Sequence, residues 1–329
     1  MADWKELIFS GDRSFEDLSE KVFRYQFENN PVYRIFCETL GVDASGVLMG
    51  LPPHYPIRGF KDTMVTCSDD QEPDMIFRSS GTSGMERSEH RVIDGELYQR
   101  SALQGFRHFY DLDNAVIWGY TPGYADNPDS SLIWMINELI NQDESGLSRF
   151  LPLEEPLNRG EIEKVERSGR QLILFGAAFG LVDLVEMGSV QLPSDSIVIE
   201  TGGMKTHRRE ITRKELHQRL SKRFGLDKSR IHSEYGMTEL LSQAYATGGK
   251  WFRTVPWMKV TIRNPDDPME ELLAYQEGLI GVVDLANVHS CSFILTGDKG
   301  IMDRQGQFQV LGRWNPKDLR GCNFLVEED

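Results

Sequence analysis

The sequence predicts an α/β protein: a parallel sheet covered by helices, followed by a smaller β-rich subdomain. Three observations predict it. Short, uniformly apolar runs at 115–118, 171–175 and 196–199 alternate with helical patterns. Such runs mark strands buried on both faces, as in parallel sheets. Beyond residue 250 the texture changes to shorter strands punctuated by glycine. And 329 residues, 40% of them hydrophobic, are ample to bury a core.

Taken in order, residues 14–28 read as an amphipathic helix, with Ser14 as cap and Phe15, Leu18, Val22 and Phe23 near helical spacing. A helix from Gly95 to Tyr110 leads to the strand Ala115-Val116-Ile117-Trp118. Helix 130–141 precedes the strand Gln171-Leu172-Ile173-Leu174-Phe175, which a helix through Leu184 follows. The strand Ser196-Ile197-Val198-Ile199 comes next. Thr212 and Glu215 make a capping box for a helix that Gly225 is placed to end. The later strands are Met258 to Ile262, Gly281 to Ala286 and Gln307 to Leu311. The expected division is 1–250 for an α/β core, 251–313 for the β-rich subdomain and 314–329 for a short tail.

Composition narrows the function. A net charge of -15 argues against a duplex nucleic-acid binder, because phosphate contacts need clustered Lys and Arg. It leaves room for anionic small molecules, which local dipoles and a few cations hold. No apolar stretch approaches the roughly 18 residues of a membrane span. The acidic start, Met1-Ala2-Asp3-Trp4-Lys5, does not suit a signal peptide. Cys37, Cys67, Cys291 and Cys322 are scattered, which suits reduced thiols in a cytoplasm and disfavours a structural zinc site.

Four segments carry candidate chemistry. Ser79-Ser80-Gly81-Thr82-Ser83-Gly84 offers backbone N–H groups and hydroxyls that can wrap a polyphosphate, although no Walker lysine follows. In Tyr235-Gly236-Met237-Thr238-Glu239 an aromatic can stack on a purine and a carboxylate can hold magnesium against phosphates. Thr296-Gly297-Asp298 follows an apolar run, where an Asp at a strand end can accept from both ribose hydroxyls; the same residues also suit an ordinary β-turn. Arg313, behind Gly312, can meet ribose or phosphate oxygens. Each is weak alone, and their order and spacing are specific.

With Thr201-Gly202-Gly203 between the first two, the series resembles that of the acyl-adenylate-forming enzymes over about residues 75–322. The resemblance implies the large N-terminal domain of that fold. It implies that Ser79 to Gly84 hold phosphates, that Gly202, Gly203, Met204 and Tyr235 hold adenine, and that Thr238 meets the α-phosphate. Glu239 would bind Mg2+, Asp298 the ribose, and Arg313 would complete the ATP site. The stretches Ser88 to Val92, Glu96-Leu97-Tyr98, Gly202-Gly203-Met204-Lys205 and Leu319-Arg320-Gly321-Cys322 are similar to the acyl-protein synthetases of bacterial luminescence, and more distantly to phenylacetate-CoA ligases. In the synthetase family a C-terminal cysteine carries the acyl group, and Cys322 is the matching position.

There are departures. Met85-Glu86-Arg87 replaces the lysine that often follows the phosphate loop, and the chain stops at Asp329, without the mobile domain of longer ligases. Lys205, His207, Arg208 and Arg209 are local candidates for that domain's lysine, and also suit a solvated basic run. The resemblance implies a soluble ligase that activates a fatty acid or another carboxylate as acyl-AMP and passes it to a thiol. The acceptor is expected to be Cys322 on the way to a reductase, or coenzyme A in the manner of an acyl- or aryl-CoA ligase. A nucleotide-binding subunit docking to a reductase is the third expectation.

Overall fold

The computed structural model of the chain describes residues 3–44, 52–68, 71–79, 87–121, 128–188, 190–202 and 211–314. In chain order the elements begin with α1 (Trp4–Phe9), α2 (Phe15–Asn29), α3 (Pro31–Thr39), β1 (Tyr55–Pro56) and α4 (Gly59–Asp62). The hairpin β2 (Met75–Arg78) and β3 (Glu89–Val92) follows, then α5 (Gly95–Phe109), β4 (Ala115–Tyr120), α6 (Ser131–Ile140) and β5 (Arg149–Phe150). Next come α7 (Arg159–Ser168), β6 (Gln171–Ala177), α8 (Ala178–Met187), β7 (Ile197–Thr201), α9 (Arg213–Phe224), β8 (Ile231–Tyr235) and β9 (Ala244–Ala246). The chain continues through β10 (Met258–Arg263), β11 (Gly278–Asp284), β12 (Phe293–Met302) and β13 (Phe308–Arg313).

Local chemistry explains the helix ends. Ser14 accepts from the Asp17 amide at 3.1 Å and opens α2, whose Val22 and Phe23 are buried. Thr212 accepts from the Glu215 amide at 3.1 Å, and Gly225 ends α9 at φ 69°. Only half of the expected capping box forms, because Glu215 gives its carboxylate to Arg219 at 2.6 Å.

β5-β4-β6-β7-β8-β9 form a six-stranded sheet, parallel throughout except for antiparallel β9. Its faces bury different sets of side chains. Ile117, Ile173 and Ile199 point into a core shared with α1 to α6 and the second sheet, while Val116, Leu172 and Val198 meet α7 to α9. The expected parallel sheet with helices on both faces is therefore present.

The second sheet has the order β1-β12-β11-β10, with β13 on β12. Its strands come from residues beyond 250 except β1, which runs parallel to β12 at Tyr55↔Ile294. Asp298 does not close a strand at a turn, as the sequence suggested. β12 continues through it to Met302 and pairs with β13, with a bulge between Lys299 and Gly300. Gly300 allows that pairing, since a Cβ there would stand 2.6 Å from the Gln309 carbonyl.

Candidate active site

The site is assembled where the two sheets meet. β8 ends at Tyr235, and the turn that follows carries Thr238 and Glu239. Tyr235 is buried, with Phe308 and Phe252 packed edge-on against its ring at 5.4 and 6.0 Å between centroids. Its hydroxyl donates to Asp298 Oδ2 at 3.0 Å. Arg313 faces Asp298 across the β12–β13 ladder, with its Nε 3.1 Å from Oδ1. Burial and the neighbouring Asp298 carboxylate push the Tyr235 phenol well above its ordinary range, so it remains a donor.

A second chain of contacts starts at the hairpin. Ser79 lies just past β2, and Arg87 and Ser88 lie just before β3. The Ser79 amide donates to the Ser88 carbonyl at 3.0 Å, and the Ser88 amide donates to Ser79 Oγ at 3.0 Å. Arg87 Nε caps the Ser79 carbonyl at 2.6 Å. These bonds tie Ser79 to Arg87 and Ser88. The Ser88 hydroxyl then donates to the Glu239 carboxylate, which is buried. Burial raises the Glu239 pKa, while the Ser88 hydrogen bond and the charges of Arg313 and Lys61 act in the opposite direction. Arg313 thus reaches electrostatically toward both Asp298 and Glu239 and links the two chains of contacts.

The turn itself is clamped from behind. Asp284 accepts from the Leu241 and Ser242 amides at 2.8 and 2.9 Å and from the Ser242 hydroxyl at 2.6 Å. Burial pushes Asp284 up to about 6, and those donors restrain the rise. Asn287 donates to the Glu239 carbonyl at 2.8 Å, and His90 Nδ1 lies 2.7 Å from the Thr238 carbonyl. On the neighbouring strand Gly202 follows β7 at φ +72°, a conformation glycine adopts without strain.

Of the residues expected at the site, Ser79, Gly202, Tyr235, Thr238, Glu239, Asp298 and Arg313 are described, and hydrogen bonds or ion pairs tie all but Gly202 into these two chains. Ser80, Gly81, Thr82, Ser83, Gly84, Gly203, Met204, Lys205, His207, Arg208, Arg209 and Cys322 lie outside the described residues. Sequence reasoning missed Ser88, His90 and Asn287 as site components. Period-two alternation along Glu89–Val92 sets His90 on the face of Val92, and nothing in the sequence pairs His90 or Asn287 with the 235–239 turn.

A model of the acyl-protein synthetase family, LuxE, matches residues 142–329. The chain belongs to the acyl-protein synthetase family. It is also similar to the long-chain-fatty-acid–luciferin-component ligase of Vibrio harveyi, 24% identical over 361 residues that cover 98% of this chain and 92% of that one. The fold is that of adenylating ligases. A 2-hydroxyisobutyryl-CoA ligase in its postadenylation state, bound to R3-HIB-AMP, overlays with a TM-score of 0.66 at 11% identity, covering 91% of this chain and 67% of that chain. ATP-bound MatB from Rhodopseudomonas palustris overlays with a TM-score of 0.53 at 16% identity, over 75% of this chain. The chain spans about half of the MatB chain, 49%. Among the described residues no helix is long and apolar enough to cross a membrane.

Proposed function

We propose that this acyl-protein synthetase uses ATP to convert a fatty carboxylate into acyl-AMP and pyrophosphate, and then passes the acyl group to a thiol. The observation that carries the reading is the junction at residues 235–239. There the ends of a phosphate-type loop, through Ser88 and Glu239, meet a buried Asp298–Arg313–Tyr235 cluster suited to a sugar diol.

In the reaction a carboxylate oxygen forms a bond to the α-phosphorus, and the bond from that phosphorus to the bridging oxygen of pyrophosphate breaks in line. No protein nucleophile is required, so the chain's task is to orient the groups and stabilise charge. In this reading Thr238 donates to the α-phosphate and Asp298 accepts from the ribose hydroxyls. Arg313 holds Asp298 and adds positive charge on the phosphate side. In the second step a thiolate attacks the acyl carbon, and AMP leaves with the electron pair of the broken carbon–oxygen bond.

Mg2+ fits Glu239. The group is a hard oxygen ligand whose burial makes its charge costly without a cation, and no cluster of three or more His, Cys, Asp or Glu side chains competes among the described residues. When bound, the ion neutralises charge on the phosphates. Residues 251–313 supply Asp298 and Arg313 and so complete the nucleotide site built on residues 1–250, with Cys322 in the 314–329 tail as the acyl acceptor. A reductase is the fitting destination for an acyl-thioester of this kind. The alternative acceptor is coenzyme A.

Acid-dependent exchange of labelled pyrophosphate into ATP tests the first step. A panel of carboxylic acids of increasing chain length should support exchange, with the long-chain members best. No exchange with any acid would leave a nucleotide-binding subunit rather than a ligase.

A further inference from the structure

The loop between Tyr235 and Leu240 carries the residues assigned to the reacting phosphate, yet it has no regular secondary structure of its own. Its geometry therefore depends on what holds its backbone. His90, on β3, is buried and presents Nδ1 to the Thr238 carbonyl at 2.7 Å and Nε2 to Asn287 Oδ1 at 3.0 Å. Asn287 Nδ2 donates to the Glu239 carbonyl at 2.8 Å and to the Cys291 carbonyl at 2.8 Å.

These contacts fix the Asn287 amide, because the reverse orientation would set its oxygen against two carbonyl oxygens. Its Oδ1 is therefore the group that faces the ring. Donation from both ring nitrogens requires the imidazolium form; burial holds the His90 pKa below its ordinary value, and the two hydrogen bonds oppose that fall. In the imidazolium and in the Nδ1–H tautomer the ring donates to the Thr238 carbonyl, 2.7 Å away. The ring and the amide thus grip two consecutive carbonyls, those of Thr238 and Glu239.

The side chain and the main chain of the loop are held from one stretch of chain at β3. Ser88, which holds the Glu239 side chain, and His90, which holds the main chain behind it, are two residues apart and on one side of the strand. From these contacts we infer that His90 and Asn287 are positioning residues for the adenylation step: they set the Thr238–Glu239 backbone so that its hydroxyl and carboxylate meet the nucleotide's phosphates. The inference rests on the adenylation reading of the site. Catalytic groups must be held to about 0.5 Å, and a displacement of about 1 Å costs on the order of 10²-fold in rate.

The test compares three variants with wild type. His90→Leu removes both ring contacts, His90→Asn restores a donor near the place of Nδ1, and Asn287→Ser withdraws the donor from the Glu239 carbonyl. Each is measured for pyrophosphate exchange, for the Mg2+ dependence of ATP binding by calorimetry without acid, and for melting temperature. His90→Leu is expected to lower kcat about 10²-fold with the KM for ATP within about 3-fold, and to raise the Mg2+ needed for half-maximal ATP binding on the order of 10-fold. His90→Asn should recover most of that loss, and Asn287→Ser should resemble His90→Leu. A folded His90→Leu with wild-type kcat and Mg2+ dependence would overturn the inference. So would a folded His90→Asn as impaired as His90→Leu. If His90→Leu does not fold, the His90→Asn and Asn287→Ser pair decides: it stands only if Asn287→Ser shifts the Mg2+ dependence and His90→Asn does not. A wild type that exchanges no pyrophosphate would instead sink the adenylation reading.

Discussion

Asp298 and Arg313 oppose one another across an antiparallel ladder and pair at 3.1 Å, with Tyr235 closing the second carboxylate oxygen at 3.0 Å. The carboxylate is the counter-charge of a mostly buried guanidinium, and in the proposed function it also receives a ribose. Removing one member of a buried pair strands the other, at a cost of about 3–5 kcal/mol.

Alanine and asparagine at 298 both remove the counter-charge of Arg313, and asparagine alone keeps a hydrogen-bond acceptor there. Asp298→Ala should lower the melting temperature by several degrees, which obscures any kinetic reading. Asp298→Asn keeps an acceptor for Tyr235 and should raise the KM for ATP about 10-fold with a smaller change in kcat, since ribose contacts are alike in ground and transition states. Steady-state exchange kinetics with varied ATP check this. An unchanged KM would mean that Asp298 serves only the pair with Arg313.

Glu239→Gln tests the metal assignment. Glutamine retains an oxygen that can accept from Ser88, so the melting temperature should stay near wild type. The exchange rate should fall about 10²–10³-fold, the usual loss when one preorganised electrostatic group is removed. A rate within a few-fold of wild type would show that Glu239 does not hold the ion.

Much of this fold is legible in the sequence, for identifiable reasons. The buried parallel strands β4, β6 and β7 are continuous apolar runs, and the ends of α2 and α9 are written in Ser14, Thr212 and Gly225. The motif residues Tyr235, Thr238, Glu239, Asp298 and Arg313 were legible because their order is distinctive. What holds them was not. The His90 and Asn287 contacts join residues 197 apart in sequence, and no periodicity encodes such a pairing. The continuation of β12 through Asp298 was likewise hidden, since Gly297-Asp298-Lys299-Gly300 reads as a turn until β13 is seen to pair with it.

Glu234 offers a test by pH. It is buried beside Tyr235, and burial pushes its pKa up to about 7 from 4.5, against a hydrogen bond from Thr201 and with the Glu200 charge adding to the rise. A carboxyl whose folded pKa is raised binds its proton more tightly in the folded state. Its contribution to stability is therefore complete below pH 4.5 and is lost as pH rises to about 7. Glu234→Gln mimics the protonated form at every pH. The variant should melt near wild type at pH 4.5 and progressively above it toward pH 7.5, by on the order of 5 °C. Scanning calorimetry at four pH values measures the gap. A gap that stays constant or narrows would refute the raised pKa.

The last prediction concerns the fate of the acyl group. The proposed acceptor, Cys322, is the position that matches the acyl-carrying cysteine of the family and lies outside the described residues. The alternatives inside the fold are poor. Burial raises the pKa of all three described thiols, Cys37 to about 12, and Cys67 and Cys291 well above the ordinary thiol value. Thiolate is the nucleophilic form, so these three are unreactive at neutral pH. Wild type incubated with ATP, magnesium and a labelled long-chain acid should therefore accumulate protein-bound label that hydroxylamine releases, as a thioester would. Cys322→Ser should retain acid-dependent pyrophosphate exchange and lose that label, because adenylation precedes the thiol step and does not use the cysteine. Label that persists in Cys322→Ser would move the acceptor elsewhere in the chain. Label that never forms, while added coenzyme A is acylated rapidly, would replace the acyl-protein reading with that of a coenzyme A ligase.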